Sequence, residues 1–339
     1  MSPGTVAYFF YRESEAEEST YSQMWGRSSS DEFQAAYWRS LVVSLQTCRW
    51  FNPNINLAVY LNRADLPVVD SVPLRDLFEE LHVEARVIPW LRRPPAKLAT
   101  WGCQLFQLDV LEHLSQTERG PCLFLDLDTV WRRSVTSLWE AVEQYGLVTY
   151  DLETETDDDY NDLSPRAIAE IAQRYRPSFH DARVLFAGGE FLAATPAALR
   201  NVAVGIAELW PSVCADMALG IPTFSREDHF LSAVYALTGD ANSVGNRFIR
   251  RIWTGYSHFD ARTGDSDLMI WHLPIEKQLG FRKMFRDIQR GRVPAVNTDS
   301  YSSYLGRTMG VPRRGISKLL RDWATAPGIP KNLVKSALQ

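Results

Sequence analysis

The sequence predicts an α/β protein, with a mixed, mostly parallel sheet flanked by helices and a basic helical appendage at the C-terminus. Three observations support this prediction. Runs rich in β-formers alternate with helical patterns up to residue 131, which favours parallel strands with right-handed crossovers. The 339 residues are 45% apolar and 23% charged, as in soluble proteins with a large core. We found no internal repeat or low-complexity linker, so we expect one domain over residues 1–280 and an appendage over 281–339.

The first half of the chain is predicted to alternate strand and helix. Strands are expected at 5–11, 55–61 and 85–90 and in the apolar run that begins at residue 122. Helices are expected at 31–51, 74–82 and 97–114. In the first of these helices one face carries Phe33, Tyr37, Leu41, Leu45 and Cys48, and in the last Leu98, Trp101, Leu105 and Leu108 have helical spacing.

The second half is less regular. Residues 151–162, "DLETETDDDYND", hold seven acids and are expected to form an exposed loop, with a lid as the less favoured interpretation. The stretch "ARVLFAGGEFLAAT" suggests a pair of strands around two glycines. Two helices, "AALRNVAVGIAELW" and "DHFLSAVYAL", and a strand at 267–273 complete the prediction.

Composition and charge exclude several classes of protein. We expect no spanning helix, because no apolar stretch is predicted to approach the roughly 20 residues it needs, and no signal peptide at the N-terminus. Four widely spaced cysteines suit reduced thiols in a cytoplasmic protein better than a disulfide framework or a zinc site. Nothing suggests nucleic-acid recognition, because the basic C-terminal region has no matching motif.

The stretch "CLFLDLDTVW" ends a predicted buried strand with Asp126 and Asp128. Two carboxylates at such a place need a positive partner, because desolvating them otherwise costs free energy. One such pattern is the D-x-D-x-T signature of haloacid dehalogenase-like phosphatases, but Val130 occupies its fifth position. The other is the D-x-D of glycosyltransferases that use a nucleotide sugar, where the acids hold a divalent ion. Two solvated acids in a loop remain an alternative.

The residues around this motif resemble the family 8 glycosyltransferases, which include glycogenin, over roughly residues 5–280. The family's motif has a Lys, a Trp four residues later, and then D-x-D-T and a hydrophobic residue. This chain matches it with Lys97, Trp101, Asp126, Asp128, Thr129 and Val130. Three later stretches resemble the family's later motifs and follow the same order along the chain: "FAGGEFLAATP", "REDHFLSAVY" and "MIWHLPIEKQLG". The chain departs from them at Ala187, where the family has Asn, and at His229, where it has Gln. "AGGEF" with "EDHFL" also resembles family 6, which likewise retains anomeric configuration.

The resemblance implies a divergent enzyme of the GT-A fold that transfers a hexose from a UDP-sugar to a glycan or lipid-linked acceptor with retention of configuration. It implies Mn²⁺ or Mg²⁺ held by Asp126, Asp128 and His272, with His258 as the rival third ligand. Asp228, with Glu227 as its neighbouring candidate, would act at the reacting carbon. The implied donor-binding residues are Tyr8, Phe10, Lys97, Asp126, Gly188, Gly189 and Lys277.

Several of these residues have an equally good structural explanation. Core packing explains the aromatic residues from Tyr8 to Tyr11, and a tight turn explains Gly188 and Gly189. Lys277 could lie on an exposed turn, and His272 could be a core histidine. A non-catalytic protein that binds nucleotide sugars also remains open, because Ala187 removes an amide from the site.

The C-terminal region combines cations with apolar helical faces. From Lys277 onward, thirteen Lys and Arg accompany three acids, a net charge of +10 in a chain of net charge −5. One predicted helix places Ile316, Leu319, Leu320 and Trp323 on one face, and a second short helix carries Ile329, Leu333, Val334 and Leu338. These helices either close the core or form a peripheral anchor on an anionic cytoplasmic membrane surface.

Overall fold

The computed structural model describes residues 4–325, so the second predicted C-terminal helix lies outside the described residues. The strands are β1 (Thr5–Phe10), β2 (Asn56–Leu61), β3 (Val68–Val69), β4 (Val72–Pro73), β5 (Val83–Val87), β6 (Cys122–Leu125), β7 (Thr129–Trp131), β8 (Leu147–Asp151), β9 (Ala187–Ala194), β10 (Ile249–Arg251) and β11 (Ile270–His272). The helices are α1 (Asp31–Phe51), α2 (Leu74–Glu80), α3 (Phe106–Thr117), α4 (Thr136–Tyr145), α5 (Pro165–Tyr175), α6 (Pro196–Leu219), α7 (Glu227–Thr238), α8 (Gly280–Gln289), α9 (Asp299–Thr308) and α10 (Ile316–Thr325).

The main sheet has six strands in the order β5-β2-β1-β6-β9-β8. The first four strands are mutually parallel, whereas β9 runs antiparallel to both β6 and β8. The prediction of a mixed, mostly parallel sheet flanked by helices is therefore confirmed. In such sheets ligands bind beyond the carboxyl ends of the parallel strands, which here are the ends of β1, β2, β5 and β6.

A second sheet lies beside that edge, with strand order β10-β11-β7. Its strand β7 begins four residues after β6 ends, so the Asp-x-Asp stretch is the link between the two sheets. Strand β7 pairs antiparallel with β11, and His272 lies opposite Thr129. This register brings together the chain at residues 126–129 and residue 272, which are distant in sequence.

Helix α1 has the predicted bounds but is buried on more than the predicted face. Ser30 caps it by accepting a hydrogen bond from the Phe33 N–H. The predicted stripe is buried except for the half-buried Tyr37. Trp38, Val42 and Val43 are buried too, because the helix also contacts β7 and α8. It thus lies inside the larger hydrophobic core, between the two sheets.

Four predicted elements differ in the structure. The strand expected at 85–90 is β5, which ends at Val87 where its partner β2 ends at Leu61. The helix expected from residue 97 begins only at Phe106, because residues 97–105 form turns in which Trp101 has φ +43°. The expected pair of strands around the glycines is the single strand β9. The expected strand 267–273 is the short β11, preceded by a 3₁₀ turn at Thr263–Asp267.

Helix α6 departs from the expectation about membrane spans. It has 24 residues and, by length and composition alone, is apolar enough to cross a bilayer. One face of α6 packs on α3 and α7, with Leu199, Val202, Ile206 and Val213 buried in the core. Only 28% of its most apolar window is buried, so packing in the core accounts for part of its apolar composition.

The C-terminal region is continuous with the core as far as residue 311. Helices α8 and α9 contribute to the same buried cluster as α1. Their residues in it include Phe281, Met284 and Phe285 of α8 and Tyr301 and Leu305 of α9. Among the described residues this packing extends across residue 280, and the domain boundary predicted there stays a prediction. Helix α10 packs against α9, but most of its apolar side chains remain exposed: Ile316 (79%), Leu319 (42%) and Leu320 (52%).

Candidate active site

The two acids of the Asp-x-Asp stretch lie where β6 meets the second sheet. The Asp126 N–H donates to the Glu190 carbonyl at 2.9 Å, which continues the β6–β9 ladder by one residue. The Leu273 N–H donates to the Asp128 carbonyl at 2.9 Å, which continues the β7–β11 pairing. Backbone hydrogen bonds from both sheets therefore fix the positions of the two acids.

Asp126, Asp128 and His272 form a cluster whose potential ligand atoms lie within 4.8 Å of one another. His272 Nε2 lies 3.2 Å from Asp128 Oδ2 and 3.6 Å from Asp126 Oδ2. Asp128 is fully buried, and its Oδ1 and the His272 Nε2 have no hydrogen-bond partner. Buried polar atoms without a partner are uncommon. Two carboxylates, one imidazole and two unpartnered atoms form a set that fits a divalent cation such as Mn²⁺.

Lys277 supplies the positive charge nearest to these acids. Its ammonium group is paired with Asp128 Oδ2 and lies 5.6 Å from the centre of the Tyr37 ring. Lys277 is only 4% exposed, so it does not lie on an exposed turn. Burial disfavours the charged form of Asp128, but Lys277 and His272 outweigh burial and hold the pKa of Asp128 well below its usual range. Asp128 is therefore a carboxylate at every physiological pH.

Asp126 and His272 have pKa values shifted in the other direction. Burial and the neighbouring charge of Asp128 raise the pKa of Asp126 to about 6. Burial disfavours the imidazolium form of His272, but the carboxylates of Asp128 and Glu190 outweigh it and raise its pKa to about 9. Without a metal, the imidazolium and Lys277 together compensate the two acids.

Glu190 and Arg251 form a second layer behind His272. Glu190 Oε1 lies 3.0 Å from His272 Nδ1, and the same carboxylate makes a bidentate pair with Arg251 at 2.8 and 2.6 Å. Burial opposes ionisation of Glu190, but Arg251 and His272 lower its pKa well below the usual range. A carboxylate on Nδ1 keeps the proton there and leaves Nε2 facing the acids, which is how ligating histidines are usually oriented.

A cavity of about 250 Å³, called the main cavity below, opens beside the cluster. Asp126, His272 and Lys277 line one side, and Glu227 and Asp228 from the first turn of α7 line another. Asp228 is 4% exposed, and its Oδ2 accepts from Asn161 Nδ2 at 2.7 Å. Burial and the adjacent charge of Asp228 raise the pKa of Glu227 well above its usual range. The cavity therefore presents one acid oriented by a hydrogen bond and one acid whose pKa is raised.

Two smaller cavities continue from this one towards the end of β1. The nearer, of about 30 Å³, shares Tyr37, Gln104 and Asp126 with the main cavity. The farther, of about 190 Å³, shares Tyr11, Glu13 and Cys103 with the nearer one. Together they form a crevice along the carboxyl ends of the parallel strands, where α/β sheets bind ligands.

Comparisons with known proteins place the fold. No family model matches the chain, and no curated protein matches it in sequence. The solved structure of the bifunctional glycosyltransferase WbbM superposes with a TM-score of 0.50 at 11% identity, over 91% of this chain and 52% of that one. The chain has the GT-A glycosyltransferase fold. It spans about half the length of WbbM.

Two further solved GT-A structures are similar. Mouse xyloside xylosyltransferase 1 gives a TM-score of 0.47 at 12% identity, over 79% of this chain and 96% of that one. The galactosyltransferase LgtC, solved with donor and acceptor sugar analogues, gives 0.45 at 13% identity, over 79% and 86%. The 11% identity to WbbM makes the chain a divergent member of the fold.

The structure brings most of the predicted residues of the GT-A site to the crevice. Lys97 lines the farther cavity, although it lies on an exposed turn rather than at a helix start. Phe10 lines the middle cavity and stacks on Tyr37 with ring centres 5.5 Å apart. His258 is exposed beside Trp253 and lies outside the acidic cluster, so His272 is the histidine placed to bind a metal.

Tyr8 and the two glycines are placed differently from the prediction. Tyr8 is wholly buried, and its hydroxyl accepts hydrogen bonds from Ser44 and Trp131, so it faces the core rather than a donor. Gly188 and Gly189 lie within β9 rather than in a turn. A Cβ at Gly189 would lie 2.9 Å from Glu227 Oε1, and one at Gly188 would collide with the Glu190 carboxylate. Both glycines make room for acidic side chains of this site, and their contact with a donor stays a prediction.

Sequence reasoning missed Glu190, Arg251 and the cavity wall formed by Tyr160 and Asn161. A signal existed for Glu190, because an acid within the apolar strand "AGGEFLAA" must find a partner once buried. Arg251 gave no such signal in sequence. Tyr160 and Asn161 belong to the acidic stretch expected to be a solvated loop, yet both line the main cavity.

Proposed function

We propose that this protein is a metal-dependent glycosyltransferase that moves a hexose from a UDP-sugar to a glycan or lipid-linked acceptor with retention of configuration. The observation that carries the proposal is the main cavity. It joins a cluster suited to a divalent ion, formed by Asp126, Asp128 and His272, to the buried acid Asp228 within a GT-A fold. The proposal of a UDP-sugar and of retention rests on the sequence resemblance to family 8.

The crevice offers separate places for the two ends of a nucleotide sugar. The farther cavity has the aromatic walls Tyr11 and Trp90 and the cations Arg93 and Lys97, a combination that suits a base and its ribose or phosphate. The Asp126–Asp128–His272 cluster lies between that cavity and Asp228. Asp126, Asp128 and His272 would hold a divalent ion, which would supply positive charge for the diphosphate leaving group. Lys277 adds a positive charge beside the same acids.

The residues of the chain that face the sugar end are Asp228 and Glu227. Glycosyl transfer passes through an oxocarbenium-like state, in which positive charge develops at the anomeric carbon. Asp228 has both carboxylate oxygens held by hydrogen bonds, so it presents a fixed negative charge to that carbon. Burial and the Asp228 charge raise the pKa of Glu227 well above its usual range, which makes Asp228 the better candidate for a negative charge beside that carbon.

A thermal-shift panel of nucleotide sugars, with and without Mn²⁺, tests the class of the protein. We expect a UDP-sugar to stabilise the fold only when metal is present, because ligands that bind the folded state raise its stability. Asp128→Asn should abolish that shift. His272→Ala should reduce it, whereas His258→Ala is the matched control and should not. Equal shifts with and without metal in the wild type would contradict the proposed metal dependence.

Product analysis tests the reaction. NMR of the product formed from an α-linked donor should show an α-linkage, and an inverted product would exclude the retaining assignment. A third outcome is that a donor stabilises the protein in the presence of metal, but the protein neither transfers the sugar nor slowly hydrolyses the donor. That outcome would identify a binding protein instead. The phosphatase alternative is not favoured, because the fold is GT-A and Asp128, with Lys277 and His272 around it, suits ion binding.

We also propose that the enzyme is cytoplasmic and contacts an anionic membrane surface through α10. Ile316, Leu319 and Leu320 support this, because they expose an apolar face within a region of net charge +10. Binding to anionic vesicles in a flotation assay should weaken with salt. Leu319→Glu with Leu320→Glu should abolish it, and unchanged flotation of that double variant would exclude this surface.

A further inference from the structure

The acidic stretch 151–162 is called the acidic loop below. Three of its consecutive residues, 160–162, each contact a different residue of the main cavity. The Tyr160 hydroxyl accepts a hydrogen bond from Arg251. Asn161 Nδ2 donates to Asp228 Oδ2 at 2.7 Å, and Asp162 Oδ2 accepts from Arg226 Nη2 at 2.9 Å. Tyr160 and Asn161 therefore form a wall of the cavity, and the exposed Asp162 ties the same turn to Arg226.

The backbone of this wall is in an uncommon conformation. Asn161 has φ +56° and Asp162 has φ +82°, in the left-handed region that side chains other than glycine seldom adopt. Tyr160 and Leu163 close the turn with two backbone hydrogen bonds, of 3.0 and 3.4 Å. Such conformations persist where surrounding contacts impose them, and they are enriched at functional sites.

Asp228 depends on this wall for its orientation. It lies in the first turn of α7, and its Oδ1 accepts the N–H of the following residue, His229, at 2.8 Å. Its Oδ2 accepts the Asn161 amide. An ionised carboxylate can only accept hydrogen bonds, so a donor on each oxygen fixes the plane of the group.

The wall also contacts Phe186, which precedes β9, and His229 of α7. The Tyr160 ring lies 5.4 Å from the ring of Phe186, and His229 Nε2 lies 3.2 Å from the Tyr160 carbonyl oxygen. The loop therefore reaches the start of β9 and brings the Asn161 amide into the cavity.

We propose that Asn161, on the acidic loop, is a positioning residue for Asp228. The catalytic part of this inference rests on the proposed function. Asn161 holds the carboxylate in the orientation in which it faces the reacting carbon, and its loss lets the group rotate.

Steady-state kinetics of Asn161→Ala and Asn161→Asp test the catalytic consequence. A misplaced catalytic group costs up to about 100-fold in rate, so we expect Asn161→Ala to lower kcat about 10- to 100-fold with donor KM within about threefold. Asn161→Asp places two carboxylates in contact, and they can hydrogen-bond only by sharing a proton. Its kcat should therefore have a more acidic pH optimum than that of the wild type, which a merely structural role would not produce. Asp159→Asn, exposed on the same loop, is the matched control.

Amide hydrogen exchange gives a readout that does not need turnover. The His229 N–H lies in the first helical turn, where no helix carbonyl is available, so its protection depends on Asp228 Oδ1. Asn161→Ala should speed exchange at His229 by about tenfold or more, while Asp159→Asn leaves it unchanged. Unchanged exchange in Asn161→Ala overturns the positioning role, whether or not the protein transfers sugar.

The two readouts together separate the possible failures. Faster exchange at His229 with unaltered kcat in Asn161→Ala would overturn the catalytic part of the inference. The wild type could also fail to bind or turn over any UDP-sugar while Asn161→Ala still gives the expected exchange result. That outcome would overturn the proposed function but support the positioning of Asp228 by Asn161. Unfolding midpoints equal to that of the wild type confirm that each variant is folded.

Discussion

Glu190→Gln should weaken Mn²⁺ binding by about 10- to 100-fold, the usual effect of changing a group that orients a ligating histidine. This corresponds to about 1.4–2.7 kcal/mol of binding free energy. Glu190 Oε1 lies 3.0 Å from His272 Nδ1, and its negative charge keeps the proton on that nitrogen. A neutral amide of the same shape removes the charge but preserves the packing.

The choice of Gln separates metal binding from stability. Glu190 also forms the bidentate pair with the buried Arg251. Glu190→Ala would leave Arg251 buried without its partner, at a cost of about 3–5 kcal/mol in the free energy of unfolding. The Gln carbonyl can still accept from Arg251, so we expect a smaller loss of stability than with Ala.

Isothermal titration with Mn²⁺, or EPR of free Mn²⁺, measures the effect without relying on activity. Glu79→Gln, at an exposed position on α2, is the matched control and should bind the metal as the wild type does. A folded Glu190→Gln protein with Mn²⁺ affinity within twofold of the wild type would refute the orienting role of this carboxylate.

Three further predictions concern the reacting acid, proton release and the C-terminal helix. Asp228→Asn should lower kcat far more than donor affinity, because its charge acts mainly in the transition state; an equal loss of donor affinity would make it a binding residue. Mn²⁺ affinity should rise with pH up to about 9, because the metal must displace a proton from His272, and calorimetry in buffers of different ionisation enthalpy should detect that proton. A pH-independent affinity would exclude His272 as a ligand. Lys318→Met should lower the free energy of unfolding in urea by about 3 kcal/mol, because it leaves the buried Glu276 without its 2.7 Å partner; Leu320→Glu, on the exposed face, should change it by less than about 0.5 kcal/mol.

The raised pKa of His272 also has a consequence for the metal-free fold. A histidine whose folded pKa of about 9 exceeds its ordinary value of 6.5 stabilises the fold fully below pH 6.5. That contribution is lost as the pH rises through 9. Added Mn²⁺ should therefore stabilise the protein most at the alkaline end of this range.

The sequence alone determined the elements whose signals are local. Apolar periodicity gave α1 with its correct bounds and placed β1, β2 and β6, since a helix stripe or a buried strand needs only its own side chains to be recognised. The Asp-x-Asp stretch after an apolar strand marked Asp126 and Asp128, because carboxylates at the end of a buried strand need a positive partner. Residues 97–105 were wrongly predicted as helix because Trp101 and Leu105 have helical spacing, while their turns are held by contacts with residues near Thr20.

Only the tertiary structure decided which distant residues complete the site. His272 reaches the acids because β11 pairs with β7 in one register, and a shift of one residue would turn its side chain to the other face. Glu190 contacts Arg251 although 61 positions separate them in the sequence. Asn161 contacts Asp228 across a sequence separation of 67 positions. Lys318 is buried while its apolar neighbours Leu319 and Leu320 are exposed, the reverse of what amphipathic periodicity predicts. The reason is the same in each case: the free energy of a charged side chain depends on the partners that folding brings to it, and neither spacing nor composition specifies those partners.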